Sequence, residues 1–264
     1  MNKCKKYTLD EPLKLDMNLD KYQIKINSAY EELIENIKKD YEKEIKWFQK
    51  KCFIINPLEE QINIFSAHAE TTRERNHTVL LANFFKDIDG LFSFFLEHNL
   101  SKKICEEEFS VEEEKLYPEK GDRIDIVLTS KNSVVAIEAK INSKENQKQD
   151  CSQMENYEKT INTEYKNKKC QKIFFLTKDK TVAKCSNVKN NVKNISWLEV
   201  LALCQAFIFK KKKLNASMYY LQLWISSFLG YIYNIQTAET VENIDWESRN
   251  MIKDFIMKVK EYTK

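Results

Sequence analysis

A pair of short apolar runs on either side of a polar turn constrains the fold of this chain more than any other feature. The runs span residues 124–128 and 134–137, and a Thr-Ser-Lys-Asn-Ser stretch separates them. β-branched residues on both sides of turn-forming residues are typical of a β-hairpin. Because side chains alternate across a strand, Glu138 and Lys140 share one face of the second strand, and Asp125 shares a face of the first strand with Val127.

These three charged side chains converge if the two polar faces lie on the same side of the sheet. A buried carboxylate without a counter-charge is costly, so such a cluster indicates a site where a metal ion or another charge compensates it. The alternative is an amphipathic hairpin at a sheet edge, with its charges in solvent. In a chain with 31% charged residues, an Asp followed by Glu-x-Lys also arises by chance, so other residues must decide between these interpretations.

Glycine and proline are scarce, with three of each in 264 residues, which predicts long helices and few tight turns. Hydrophobic residues make up 42% of the chain, which is enough for a packed core and excludes wholesale disorder. The formal net charge of +3 allows a nucleic-acid partner without demanding one. Any phosphate-binding surface must therefore be local.

Several classes of protein are disfavoured by what the sequence lacks. Seven scattered cysteines without a Cys-x-x-Cys pair, and three separated histidines, favour neither a disulfide scaffold nor a zinc site. There is no Gly-rich phosphate loop and no Gly-x-Ser-x-Gly elbow. The N-terminus lacks an apolar core, and no stretch of roughly 18 apolar residues occurs, so we expect a cytoplasmic protein without a membrane segment.

Three sections are predicted along the chain: an N-terminal arm and long amphipathic helix over 1–58, a core over 59–209, and a helical extension over 210–264. The apolar stripes of the long N-terminal helix and of the helix near 216–235 predict that these two helices pack together or form a homodimer contact. In the core, the patterns predict strands over 105–111, 172–177 and 194–196, an acidic loop after the first of them, and helices over 148–160 and 197–209. The extension has predicted helices over 216–235 and 246–262. It opens on a run that is either a solvated loop or a phosphate contact, Lys210, Lys211, Lys212 and Lys213.

A carboxylate stands at the start of another predicted helix. Residues 71–74, Thr-Thr-Arg-Glu, have the form of a capping box, and Glu74, Thr78, Leu81 and Phe85 fall on one face of the helix that follows. Glu74 therefore has two interpretations, a helix cap or a part of a functional site. His77, one turn further on, orients that carboxylate, contacts nucleic acid, or is a structural histidine.

The hairpin resembles the active site of the PD-(D/E)xK nuclease superfamily, which includes many restriction and repair nucleases. Asp125 and Glu138-Ala139-Lys140 match its motif, although Ile124 stands where the family name has Pro. One uncharacterised bacterial branch also shows Asn-x-Phe, Glu-x-x-His-Ser, Leu-Ala, Phe-Leu and Gln-x-x-x-Tyr. The histidine usual just before the Phe-Leu pair is absent here. The remaining matches occur in the same order, namely Asn63 and Phe65, Glu74, His77 and Thr78, Leu81 and Ala82, Phe95 and Leu96, and Gln153 and Tyr157.

This resemblance implies an α/β fold of the restriction-endonuclease type, with a central mixed β-sheet flanked by helices. It also implies a Mg²⁺ or Mn²⁺ ion, since the Asp125 and Glu138 carboxylates and the Ala139 carbonyl are hard oxygen ligands, and a residue such as Glu74 commonly completes the metal site. Lys140 would orient or deprotonate the attacking water and stabilise charge. The same catalytic group would include Gln153 and Tyr157.

The function predicted for the chain is a metal-dependent nuclease that hydrolyses phosphodiester bonds. The expected substrate is double-stranded DNA, and the expected setting, by analogy with the superfamily, is an endonuclease in bacterial defence against foreign or phage DNA. The alternative is a nuclease-fold module that binds nucleic acid or a partner protein within a larger complex without cleaving.

Overall fold

Five strands form one mixed β-sheet in the part of the chain that the structure describes. This structure is a computed structural model, and it describes residues 39, 42–43, 74–100, 104, 106–141, 147–148, 151–180, 191–211, 215–233 and 246–264. The chain divides into two compact units, Met1–Lys43 and Glu44–Lys264, and the elements below belong to the second unit. The predicted long N-terminal helix and the predicted capping residues 71–73 lie outside the described residues, except that Lys39, Glu42 and Lys43 are helical.

The sheet is an antiparallel meander extended by two parallel strands. The meander comprises β1 (Ser110–Tyr117), β2 (Asp122–Thr129) and β3 (Ser133–Lys140). A separate two-stranded ribbon follows, formed by β4 (Gln147–Lys148) and β5 (Cys151–Ser152), and then β6 (Cys170–Thr177) and β7 (Val192–Ser196) extend the main sheet. The strand order is β1-β2-β3-β6-β7, so β3 is central, and all eight of its residues are buried. The hairpin of β2 and β3 is the predicted one.

Helices cover both faces of this sheet. The described helices are α1 (Glu74–Asp87), α2 (Leu91–Asn99), α3 (Gln153–Glu164), α4 (Trp197–Lys210), α5 (Ala216–Tyr231) and α6 (Trp246–Thr263). Among them, α3 packs on one face in a smaller apolar core, and the other five contribute to a larger core on the opposite face. This arrangement confirms the predicted restriction-endonuclease-like α/β fold. None of the described helices is both long and apolar enough to cross a membrane.

The sequence of α4 explains its place in the middle of the larger core. Every residue from Trp197 to Ile208 is buried, as expected for a helix that is apolar on all sides. Its start is fixed by a capping box, in which the Ser196 hydroxyl accepts from the Glu199 N–H and the Glu199 carboxylate accepts from the Ser196 N–H at 2.8 Å. Lys180 and Lys258 lie 2.8 and 3.2 Å from the same carboxylate, so α6 is tied to α4 by charge as well as by apolar packing.

Two predicted boundaries are wrong. The first strand is β1 and not residues 105–111, and it contains Glu112, Glu113 and Glu114, which were predicted to lie in a loop. Because β1 is at the edge of the sheet, its acidic side chains can stay in solvent, and such charges also protect an edge from pairing with another chain. The third helix begins at Gln153 and not at 148, since the ribbon of β4 and β5 precedes it.

Candidate active site

The centre of the sheet brings the three predicted hairpin charges together. Glu138 and Lys140 lie on the face of β3 that is covered by α3, the face that also carries Val134 and Ala136. On the antiparallel neighbour β2, Ile126 pairs with Ile137, which sets Asp125 beside Glu138. The pairing of β3 with β2 reaches Ile137, and its pairing with β6 continues through Lys140, so the two β3 side chains are held on a paired backbone.

Asp125 lies where the side-chain alternation of β2 changes phase. Ile124 packs in the smaller core under α3, whereas Ile126, two residues later, packs in the larger core on the other face. On the adjacent strand β1, Glu114 has a left-handed backbone with φ of 48°. The strands on both sides of this point are therefore locally irregular.

One oxygen of Asp125 is held by the backbone of β3. The Ala139 N–H donates to Asp125 Oδ2 at 2.9 Å. Burial raises the pKa of Asp125, although this hydrogen bond and the charges of Lys140 and Arg123 oppose the rise. Asp125 remains partly exposed, so the centre can be reached from solvent on this side.

Glu138 is the most deeply buried charged group of the centre, with 1% of its surface exposed. Its Oε1 accepts hydrogen bonds from Lys140 Nζ at 2.5 Å and from Gln153 Nε2 at 2.8 Å. Its Oε2 is buried and has no hydrogen-bond partner among the described residues. Burial, and then repulsion from Asp125, raises the pKa of Glu138 to about 8. A buried oxygen without a donor is costly, so this atom is suited to a cation.

Lys140 links the carboxylates of two elements. Its Nζ, in a residue that is 8% exposed, donates to Glu138 and lies 3.4 Å from Glu74 Oε1. Glu74 is the first residue of α1, and its Oε2 accepts from the Ile141 N–H at 2.7 Å, which fastens α1 to the end of β3. Burial lowers the pKa of Lys140, but the charge of Glu138, followed by those of Glu74 and Asp125, outweighs burial and raises it. The side chain therefore stays an ammonium group.

Two residues of α3 complete the centre. Gln153 is the first residue of the helix, and its Nε2 donates to Glu138 Oε1 at 2.8 Å and to Tyr157 Oη at 2.7 Å. Tyr157 lies one turn later and donates to the Arg123 carbonyl of β2 at 2.5 Å. Burial, and then the Glu138 charge, raises the pKa of Tyr157, so the phenol remains a donor. In this way α3 connects the two strands that carry the acidic residues.

The donor set suits a hard divalent cation. Three carboxylates, Glu74, Asp125 and Glu138, face one ammonium, which leaves an excess of negative charge in a largely buried site. No three His, Cys, Asp or Glu side chains form a complete ligand cluster within the described part of the chain. Lys140 instead binds one oxygen of Glu138 and approaches Glu74. Asp125 and Glu138 are thus the residues that best fit an ion, and the metal-ligand roles of Glu74 and the Ala139 carbonyl stay predictions.

His77 lies in the larger core and does not reach the surface of the site. It is buried, and Trp224 Nε1 of α5 donates to its Nδ1 at 3.0 Å. The Phe228 ring lies 4.5 Å away, centroid to centroid. These contacts are those of a structural histidine that anchors α1 to α5, and a nucleic acid on the protein surface would not touch it.

The part of the lysine run that the structure describes also lies away from the carboxylates. Its first two members end α4, and their Nζ atoms lie 4.8 and 4.5 Å from the centres of the Phe94 and Phe207 rings. The start of α4 adjoins Ser196, which is in the same row of the sheet as Lys140. A helix of this length carries its last turn roughly 20 Å from that row. The positions concerned are Lys210 and Lys211, while Lys212 and Lys213 lie outside the described residues.

Two exposed arginines beside the carboxylates are absent from the sequence-based prediction. Arg75 directly follows Glu74, and Arg123 precedes Asp125 by two residues. Both contact Glu114 of β1, with Arg75 Nη2 at 2.5 Å from its Oε2 and Arg123 Nη1 at 3.7 Å from its Oε1. Their nearness to the motif residues is a signal in the sequence, but their common partner is visible only once β1 pairs with β2.

Comparison with known proteins agrees with this geometry. A family model described as the PD-(D/E)XK nuclease superfamily matches residues 45–244, which is most of the chain and includes every residue of the carboxylate centre. Neither a curated protein nor a solved structure matches the sequence. The matched range and the hairpin motif lead to the same conclusion, that the chain belongs to the PD-(D/E)XK nuclease superfamily.

Proposed function

We propose that the chain is a metal-dependent nuclease that hydrolyses phosphodiester bonds. The observation that carries this proposal is the largely buried centre of Asp125, Glu138 and Lys140, in which Glu138 Oε2 has no hydrogen-bond partner among the described residues. Buried charges destabilise a fold unless they are fully paired and hydrogen bonded, so a purely structural role gains nothing from this arrangement. Membership of the superfamily supports the same activity.

Mg²⁺ or Mn²⁺ is the cofactor that we propose for this centre. Asp125, Glu138 and the Ala139 carbonyl would hold the ion, and Glu74 would complete its set of oxygen ligands. When bound, such an ion neutralises charge on the scissile phosphate and makes a water molecule more acidic.

The polar side chains around the carboxylates have separate roles in the proposed reaction. Lys140 stabilises the negative charge that develops on the phosphate and orients the water, because its raised pKa keeps it protonated and makes it a poor base. Gln153 holds Glu138 through Oε1, which leaves Oε2 for the cation. Tyr157 fixes the Gln153 amide, since it accepts from Nε2 and donates to the Arg123 carbonyl.

Double-stranded DNA is the proposed substrate, and cleavage of foreign or phage DNA within the bacterial cytoplasm is the proposed setting. The support is analogy with the restriction and repair nucleases of the superfamily. The proposed homodimer draws less support from the described residues. The apolar face of α5, which includes Trp224 and Phe228, is buried inside the helical layer and is not open to a partner.

Cleavage assays on plasmid, linear duplex, single-stranded DNA and RNA, each with Mg²⁺, Mn²⁺ or EDTA, test the proposal. We expect cleavage of duplex DNA with either ion and none in EDTA. Activity that survives EDTA would contradict the metal-dependent mechanism. DNA binding without cleavage in either metal would favour the alternative, a nuclease-fold module that binds without cutting.

Three substitutions separate the roles within the centre. Mn²⁺ calorimetry should show weakened binding for Asp125→Asn and Glu138→Gln, and retained binding for Lys140→Ala. All three proteins should be inactive, and their losses should not add, because the residues act as a unit. Glu97→Gln, exposed on α2, is the matched control and should keep both properties. A Lys140→Ala protein that cleaves like the parent would remove this lysine from the mechanism.

A further inference from the structure

We propose that Arg75 and Arg123, held by Glu114, form a phosphate-binding clamp for the nucleic-acid backbone next to the carboxylate centre. This inference rests on the proposed nuclease function and names the side chains that would hold its substrate. The clamp is distinct from the lysine run and from His77, the residues that the sequence suggested for this role.

The two arginines lie near the partly exposed part of the centre, because their common partner Glu114 is opposite Asp125 in the sheet. The charged pair on β3 is buried, whereas Glu74 and Asp125 are partly exposed. Arg75 follows Glu74 on α1, and Arg123 precedes Asp125 on β2. A polyanion that binds at Asp125 would therefore come near these two guanidinium groups.

Both arginines are exposed and yet share one partner. Their side chains are 68% and 56% exposed, while the Glu114 side chain between them is 19% exposed. Arg75 contacts Glu114 at 2.5 Å, and Arg123 lies 3.7 Å from it. A single carboxylate can engage only part of the N–H donors of two guanidinium groups, so most donors remain for a second anion. The planar fork of arginine matches two phosphate oxygens at once.

The backbone conformation of Glu114 indicates that the surrounding structure holds this residue in a fixed position. Its φ of 48° lies in the left-handed region, which a residue with a Cβ adopts only at a cost in free energy. Its neighbours in β1 pair with the residues on either side of Asp125, so Glu114 lies opposite Asp125 in the sheet. From this point its carboxylate reaches an arginine on α1 and another on β2. Strained residues of this kind concentrate at functional sites, where the surrounding structure holds them.

An ion-pair tether between α1 and β1 is the competing explanation for the same contacts. A tether predicts that loss of either arginine changes stability slightly and leaves nucleic-acid binding unchanged, since exposed ion pairs contribute little to stability. A clamp predicts that loss of either arginine weakens nucleic-acid binding. The number of phosphates that a protein neutralises determines how strongly salt weakens its binding, so salt dependence separates the two explanations.

Fluorescence anisotropy with a short labelled DNA duplex, in EDTA and over a series of salt concentrations, measures this dependence without cleavage. Arg75→Ala and Arg123→Ala should each weaken binding about threefold to tenfold and reduce the slope of log affinity against log salt by about 0.9. Arg75→Lys should keep the slope, because the charge is kept, and should lose only part of the affinity. Lys86→Ala, exposed in the last turn of α1, is the matched control and should change neither. Melting temperatures verify that each variant folds.

Unchanged affinity and slope in both arginine variants would overturn the clamp, as would a parent protein that binds neither duplex DNA, single-stranded DNA nor duplex RNA. An equal loss in Lys86→Ala would also overturn it, since the effect would then reflect overall charge. The probe that binds best identifies which nucleic acid supplies the phosphates. A parent protein that binds through the arginines and never cleaves with metal would refute the proposed nuclease function and leave the clamp in place.

Discussion

Replacing Glu138 by Gln should remove the pH dependence that this carboxyl gives to the stability of the metal-free protein. The pKa of this carboxyl is about 8 and not its usual 4.5, because of burial and then the nearby Asp125 charge. Between these two pH values, the folded state holds a proton that the unfolded chain has released. The free energy of unfolding of the parent therefore falls as the pH rises through this window, and the loss is complete above the folded-state pKa.

The size of the effect follows from the size of the shift. At about 1.4 kcal/mol per pKa unit, the parent should lose roughly 3 to 5 kcal/mol of unfolding free energy across the window. Asp125, whose pKa is also raised, acts in the same direction. In Glu138→Gln this loss disappears, but an NH₂ group replaces the buried Oε2, at a cost of about 1 to 3 kcal/mol at every pH. The variant should thus be less stable than the parent at about pH 5 and more stable at about pH 8.

Urea unfolding in EDTA, at several pH values from about 5 to about 9, measures both curves. Glu97→Gln should follow the parent, since that carboxyl is exposed on α2. Curves for the parent and Glu138→Gln that stay parallel over the whole range would refute the reasoning. Adding Mg²⁺ or Mn²⁺ at about pH 8 should then stabilise the parent and not Glu138→Gln, because a ligand that binds only the folded state raises its stability.

Three further substitutions test neighbouring parts of the structure. Glu74→Gln should reduce cleavage by orders of magnitude with little change in melting temperature. Near-normal cleavage would show that Glu74 has only a structural role, as the acceptor at the end of β3. Trp224→Phe removes the donor to His77 and should cost about 1 to 3 kcal/mol in urea unfolding while sparing cleavage; lost cleavage at full stability would return His77 to the active site. Gln205 and Gln222 exchange two 2.8 Å hydrogen bonds between α4 and α5, so each single change to Leu should destabilise, and the double change should cost less than the sum.

The carboxylate centre is predictable because strand geometry converts spacing into position. Glu138 and Lys140 are two residues apart in an apolar run, so they must share a face, and a five-residue polar stretch returns the chain from β2 to β3 in antiparallel pairing. Gln153 and Tyr157 are four apart on one helix, so they must lie on one side of it. These relations are local, and tertiary packing does not alter them.

Other features depend on how distant segments meet, and local patterns do not contain that information. His77 lies one turn after Glu74, but whether it faces the site or the core depends on the packing of α1 against α5. Most side chains of the edge strand β1 are not buried, so its sequence need not alternate between apolar and polar residues. Its run of charged residues therefore resembles a loop. The clamp combines α1, β1 and β2, so it depends on the register of β1 against β2 and on the packing of α1 beside them.

The position of Glu138 and Lys140 along β3 reconciles a rigid backbone with access to substrate. The strand is paired with β6 as far as Lys140, so neither Glu138 nor Lys140 can move with a loop. Two residues nearer the hairpin turn, Ala136 occupies the same face and is completely buried, so a carboxylate there would meet no phosphate. Beyond Lys140 the strand ends, and a side chain there would lack the pairing with β6. The last three residues of β3 are therefore the part of the strand where a carboxylate can be both held in place and reached by substrate. Glu74 and Asp125 border this part on the solvent side.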